Sequence, residues 1–132
     1  MAVTEQDIVS IEHACERLIL DLAYFSDQRE YESLAALFTV DGMMTRPSGT
    51  VLAGQEAIVR SYQATPADRV TRHICSNIRI DVESVDRARA VTYAVVYSNS
   101  GNPRVGEFED QFQRTEEGWR IAARMARFVI GG

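Results

Sequence analysis

The chain has 132 residues, which suits a single domain over 1–132 and is long enough to bury a core without disulfides or metals. Its net charge of −5 and its pI near 5 argue against a nucleic-acid partner, because phosphate binding needs a basic surface. The N-terminus has acidic residues and no apolar signal-peptide core, and no apolar run approaches the roughly 20 residues of a membrane span. We therefore expect a cytoplasmic protein with no membrane partner and with two reduced thiols, Cys15 and Cys75.

Helical spacing of apolar residues dominates the first half of the chain. Thr4, followed by Asp7, resembles a capping box at the start of the first helix. The dipeptide Asp41-Gly42 and the run Pro47-Ser48-Gly49 are turn signals. In chain order the pattern predicts a helix over 4–25, a helix over 30–39, a hairpin of 43–46 with 50–52, and a helix over 55–63.

Alternating patterns replace the helical ones from Val70 onward and predict strands over 70–83, 87–99, 105–114 and 119–130. Helices followed by a long meander are typical of an α+β fold, in which a curved sheet carries helices on one face. The strand over 87–99 is apolar on both of its faces, so the outer face also needs cover. We expect a second copy of the chain to supply it, giving a homo-oligomer, a dimer or trimer, through the outer sheet face.

Asp27 and His73 are the residues most suited to chemistry. Asp27 directly follows the apolar part of the first helix, and His73 is one of only two histidines and the one on a predicted strand. A carboxylate that orients an imidazole makes a general base near neutral pH. The alternatives are structural: Asp27 as the N-cap of the following helix or as a helix-end carboxylate, and His73 as a core histidine bonded to a backbone carbonyl. Strand alternation places Asn77 on the same face as His73.

Four segments, read in order, resemble the SnoaL-like branch of the nuclear-transport-factor-2-like superfamily. They are YFSDQREYESLAALFTVDG, LAGQEAIVRSY, TRHICSNIRID and GEFEDQFQRTEEGWRIAAR, and together they cover nearly the whole chain. The resemblance implies a cone-shaped, curved, mixed or antiparallel sheet wrapped around three N-terminal helices and enclosing a pocket. It also implies a fold that serves catalytic and non-catalytic members alike.

Within this superfamily the chain is similar to the scytalone dehydratases and hexachlorocyclohexane dehydrochlorinases. That similarity implies that His73 removes a proton from carbon, that Asp27 orients its ring, and that Arg124 binds a leaving anion or an enolate oxygen. The alternatives for Arg124 are a surface arginine and a salt bridge to Glu107 or Glu109. Ser26 and Leu22 differ from the residues that the two enzyme groups carry at these positions, so the resemblance does not extend to either named reaction.

The remaining candidates are aromatic, sulfur-containing or polar residues that suit a small hydrophobic or aromatic ligand. They are Tyr24, Met44, Arg46, Tyr62, Asn77, Tyr97 and Phe108. No nucleotide-binding motif and no cluster of metal ligands is present in the sequence, so we expect no cofactor and no metal. The predicted activity is that of a cofactor-independent lyase or isomerase of the dehydratase type. The alternative is a non-catalytic small-molecule-binding or accessory protein of the same fold.

Overall fold

A computed structural model describes residues 2–132 of the chain. These residues form three helices and one six-stranded sheet. The fold class is α+β, as predicted. In chain order the elements are α1 Glu5–Asp27, α2 Tyr31–Ala35, β1 Phe38–Thr45, β2 Val51–Ala53, α3 Gln55–Gln63, β3 Thr71–Val82, β4 Arg87–Ser98, β5 Arg104–Thr115 and β6 Gly118–Ile130.

The long first helix ends next to the sheet and places Asp27 there. It begins at the predicted capping box, in which Thr4 and Asp7 exchange side-chain-to-backbone hydrogen bonds of 3.0 and 3.1 Å. Its apolar stripe is buried, with Ile11, Cys15 and Ile19 at most 1% exposed. The helix continues two residues beyond the predicted end, so Asp27 is its last residue.

The predicted second helix is wrong in its second half. Helix α2 ends at Ala35, and Phe38 already starts β1. Residues 37 and 38 pair with the sheet instead of continuing the helix. The backbone N–H of Ile121 in β6 donates to the carbonyl of Leu37 at 2.8 Å. Phe38 lies opposite Ile121 and is 1% exposed. Pairing with a strand more than 80 residues away in sequence therefore overrides the local helical pattern.

The sheet has the strand order β2-β1-β6-β5-β4-β3. All neighbours are antiparallel except β1 and β6, which run parallel and join the hairpin to the end of the meander. Register shifts interrupt the ladders of β1 with β6, of β3 with β4 and of β5 with β6. Such irregularities bend and twist strands, and the result is a curved, unclosed sheet whose inner face packs against the helices.

Strand β4 shows how the two faces of the sheet differ. Ala88, Ala90 and Ala94 on the inner face are buried, whereas Tyr93 and Tyr97 on the outer face are 47% and 51% exposed. Small inner side chains leave room for the helices and for a cavity. The apolar outer face is the surface through which we expect a homo-oligomer, and this stays a prediction.

Cys15 and Cys75 are free thiols in this fold. None of the helices within residues 2–132 combines the length and the apolar character that a membrane crossing requires.

Gly42 allows β1 to lie tightly against its neighbours, and its replacement by alanine is expected to destabilise the protein. An added Cβ would lie 2.9 Å from the Cβ of Phe38 and 3.1 Å from the carbonyl oxygen of Ile121. Relieving such overlaps in a packed interior costs about 1–3 kcal/mol. Urea unfolding of Gly42→Ala measures the loss.

The matched control is Gly101→Ala, because a Cβ at Gly101 meets no atom within 4 Å. Its free energy of unfolding is expected to stay within about 0.5 kcal/mol of the unchanged protein. Equal stability of the two variants would contradict the tight packing of β1.

Candidate active site

A cavity of about 390 Å³ lies between the end of α1 and the inner face of the sheet. Its wall combines apolar groups, such as Leu22, Ala94 and Phe108, with Asp27 and His73. The volume is within the range of small-molecule sites. This cavity is the candidate active site.

Asp27 and His73 are in direct contact at the cavity wall. Nδ1 of His73 lies 2.6 Å from Oδ1 of Asp27, and the backbone N–H of His73 donates to Oδ2 at 2.9 Å. The Thr71 hydroxyl donates to Oδ1 at 2.8 Å. One carboxylate is therefore held by three groups of β3, which ties the end of α1 to the strand and fixes the orientation of the imidazole ring.

Asp27 is not the N-cap of α2. The N-cap position of α2 belongs to Glu30, and no side chain within residues 2–132 caps that helix. Helix α1 is followed by Arg29 in the left-handed region at φ 60°, which turns the chain away from the α1 axis. The Asp27 carboxylate points to β3 instead and is bonded there.

Asp27 is held in its ionised form. Burial raises the pKa of Asp27. This effect is outweighed by hydrogen bonds from the ring and the backbone of His73, by the charge of His73 and by the hydrogen bond from the Thr71 hydroxyl. The pKa of Asp27 therefore lies below its usual value. An ionised carboxylate accepts the Nδ1–H of His73. Nε2 then carries the lone pair, and it has no hydrogen-bond partner among residues 2–132. The side chain of His73 is 18% exposed.

The lowered pKa of Asp27 predicts a pH-dependent stability. A depressed pKa contributes stability that is present above the unfolded value of about 3.9 and is lost as the pH falls through the folded value. The advantage in unfolding free energy of the unchanged protein over Asp27→Asn should therefore shrink as the pH falls below about 4. Urea unfolding at a series of pH values measures it. An advantage that does not shrink below about pH 4 would contradict the lowered pKa of Asp27.

Arg124 also borders the cavity, and its partner is neither Glu107 nor Glu109. Its Nε and Nη2 donate to the two carboxylate oxygens of Asp110 at 2.7 and 2.8 Å, and Glu107 and Glu109 pair with Arg127 instead. Burial lowers the pKa of Arg124, but Asp110 more than restores it, so the guanidinium stays charged. It also lies 4.0 Å above the ring of Phe108.

Four of the predicted ligand-contacting residues line the cavity: Met44, Arg46, Tyr62 and Phe108. The Tyr62 hydroxyl donates to Sδ of Met44 at 3.7 Å, and the guanidinium of Arg46 lies 4.8 Å from the Tyr62 ring centre. Arg46 also donates its Nε–H to the Ser61 hydroxyl at 3.0 Å. These contacts hold α3 and the β1–β2 turn together at one side of the cavity.

Three other predicted positions, Tyr24, Asn77 and Tyr97, do not belong to the cavity wall. The face of α1 that lines the cavity carries residues 22, 23, 26 and 27, so Tyr24 lies on the opposite side and is 57% exposed. Tyr97 points to the outer sheet face. Asn77 has a φ of 50° at the register shift of β3, and this bulge reverses the alternation after His73. Arg79 consequently points outward, and Ile78 packs on the core.

Sequence reasoning also missed cavity groups. Thr71 lies two residues before His73, and the same alternation that was applied to Asn77 would have found it. Asp110 shares its strand face with Phe108, but no local pattern shows that it faces Arg124. No three His, Cys, Asp or Glu side chains in the described part of the chain come together as metal ligands.

A family model described as the SnoaL-like domain matches residues 7–125. A comparison with functionally curated proteins found no match. The fold is similar to several solved structures over almost the whole chain.

A scytalone dehydratase-like protein from Novosphingobium aromaticivorans has a TM-score of 0.85 and 22% identity, over 96% of this chain and 89% of that one. An NTF2-like protein with a cystatin-like fold from the same species has a TM-score of 0.82 and 25% identity, over 95% and 86%. A hexachlorocyclohexane dehydrochlorinase from Novosphingobium barchaimii has a TM-score of 0.84 and 17% identity, over 96% and 91%. At such identities the likeness to the two enzymes establishes the fold.

Proposed function

Because the chain belongs to the SnoaL-like domain family, we propose that it is a cofactor-independent lyase or isomerase in which Asp27 and His73 abstract a proton from carbon. The substrate is a small hydrophobic compound, cyclic or aromatic. The observation that carries the proposal is the 2.6 Å contact between Nδ1 of His73 and Oδ1 of Asp27 at the wall of a cavity of substrate size.

In the proposed reaction Nε2 of His73 takes a proton from a carbon next to an activating group. The electron pair of the broken C–H bond forms a C=C bond, and a leaving group on the adjacent carbon departs with its own bonding pair. In the isomerase variant the proton returns from Nε2 to another carbon of the same substrate. The imidazole is neutral before the step and cationic after it, so no metal or redox partner is needed for the balance.

Asp27 acts on this step through the ring of His73. Its carboxylate fixes the tautomer with Nδ1–H and stabilises the imidazolium that forms. Because the Asp27 side chain is only 7% exposed, water screens this interaction weakly. The low pKa of Asp27 keeps the carboxylate ionised throughout.

Arg124 is proposed to donate a hydrogen bond to the oxygen or leaving group that gains charge. Nε and Nη2 are occupied by Asp110, but Nη1 has no hydrogen-bond partner among the described residues, and Arg124 borders the cavity. Since Asp110 largely neutralises its charge, Arg124 serves as a positioned donor rather than as a free cation.

Deuterium exchange on a panel of candidate compounds tests the proposal. Cyclic ketones and β-hydroxy or β-halo ring compounds are incubated with the protein in D₂O, and NMR follows loss of C–H signals and appearance of alkene signals. We expect exchange or elimination with some panel members that depends on His73. Turnover that His73→Ala leaves unchanged would place the base elsewhere.

A further inference from the structure

The cavity differs from the rest of the molecule in its charge. The chain carries 19 acidic residues against 14 basic ones, all of them arginine. The cavity wall nevertheless includes Arg29, Arg46, Arg69, Arg104 and Arg124, and Asp27 is its only carboxylate among the described residues. An acidic protein thus has a cavity lined by cations.

Four of these arginines have no carboxylate partner in the described part of the chain. Arg124 is paired with Asp110. Arg127 also borders the cavity, but its guanidinium pairs with Glu107 and Glu109 of β5. By contrast, no carboxylate within residues 2–132 lies within salt-bridge distance of the remaining four, Arg29, Arg46, Arg69 and Arg104.

Three of these four arginines have contacts that show how freely they can bind a ligand. Arg29 donates to the backbone carbonyls of Thr65 and Pro66 at 3.2 and 3.1 Å, so it holds the 64–70 loop and contributes mainly charge. Arg46 uses only its Nε–H, and Arg104 lies over the Phe128 ring at 5.2 Å. Both guanidinium groups therefore keep free N–H donors for a ligand.

The sheet register places Arg104 at a defined distance from the base. His73 pairs with Val96 on β4, and Val96 pairs with Arg104 on β5, so the three residues form one row across the inner face. Two strand spacings separate the backbones of His73 and Arg104 by about 10 Å. Val96 lies between them, and Ala94 and Phe108 also border the cavity. A ring-sized apolar body fits this separation.

From this geometry we infer that the ligand is an organic anion: an apolar ring system that carries a carboxylate, bound with the carboxylate at Arg46 and Arg104 and the ring toward His73. Guanidinium groups recognise carboxylates through paired N–H donors, and unneutralised cations on a cavity wall also attract anions from solution. The inference rests on the proposed function in one respect: it assumes that this ligand is the compound that His73 deprotonates.

Calorimetric titration with 1-naphthoate and with its neutral analogue 1-naphthamide tests the inference on the full chain at low ionic strength. We expect naphthoate to bind at least about tenfold more tightly than the amide. Arg46→Gln and Arg104→Gln are each expected to weaken naphthoate about tenfold and to leave the amide unchanged. The control Arg79→Gln removes an exposed arginine outside the cavity and should alter neither ligand.

Equal binding of the two compounds, undetectable naphthoate binding, or full naphthoate affinity in both cavity variants would overturn the inference. His73→Ala separates it from the proposed function, because that variant should keep the preference for naphthoate. A retained preference together with turnover that does not need His73 would refute the catalytic proposal alone. Turnover that needs His73, with no preference for the anion, would refute the anion site alone.

Discussion

His73→Ala is expected to lower turnover by about a hundredfold to ten-thousandfold, the range that a positioned general base contributes. The variant removes the only imidazole among the described residues that line the cavity, and it leaves the Asp27 carboxylate without its ring partner. Steady-state kinetics on a substrate found by deuterium exchange measure the loss. The fold should persist, because the backbone N–H of the residue at position 73 still donates to Oδ2 of Asp27.

The chain offers a matched control in its second histidine. His13 lies on the exposed side of α1, so His13→Ala should retain full turnover. Asp27→Asn should lower the rate as well, since an amide neither fixes the Nδ1–H tautomer reliably nor stabilises the imidazolium. Circular dichroism and urea unfolding establish that each variant is folded. A folded His73→Ala protein with undiminished rate would refute the role of His73 as the base.

Asp110→Ala is expected to cost about 3–5 kcal/mol of stability, the largest loss that we predict for a single substitution. Asp110 and Arg124 are 0% and 2% exposed in their side chains and are joined by two hydrogen bonds. Removing the carboxylate leaves the buried guanidinium of Arg124 without a counter-charge. The guanidinium cannot lose a proton near neutral pH, so it stays charged. Urea unfolding at pH 7 measures the effect.

The double variant Asp110→Leu with Arg124→Met distinguishes a buried-charge effect from lost packing. Replacing both partners with apolar groups removes the stranded charge, so the double variant should recover most of the stability that Asp110→Ala loses. The exposed pair of Arg127 with Glu107 is the reference, and Glu107→Gln should cost no more than about 1 kcal/mol. A cost for Asp110→Ala below that of Glu107→Gln would contradict the structural role of the pair.

Most of the elements follow from local patterns in the sequence. The capping box at Thr4, the third helix and the four long strands lie where apolar spacing predicts them, because each pattern matches the period of its own backbone. The second helix failed from residue 36 onward for the opposite reason. Its apolar residues also fit a strand, and pairing with β6, a contact distant in sequence, decides between the two.

Site residues could be predicted from the sequence where their placement depends on a single helix end or on a single strand face. The position of Asp27 after the apolar stretch and the alternation around His73 indicated the two groups, although only the resemblance implied their pairing. Asn77 was misplaced, because a bulge with positive φ reverses the alternation. Asparagine tolerates this φ better than most residues, but one asparagine within a strand pattern does not predict a bulge. Tyr97 and Tyr24 were misplaced, because aromatic character does not reveal which face is covered.

The fold class follows from the residue pattern alone, and so do the side-chain types available for a site: one strand histidine, one helix-end aspartate, and basic residues that are all arginine. How these groups meet depends on contacts between residues that are distant in the chain. The row of His73, Val96 and Arg104 joins three strands, and the pairing of Arg124 with Asp110 depends on the register between β5 and β6. Register depends on the packing of whole strands and on bulges, so local periodicity cannot determine which charges face one cavity.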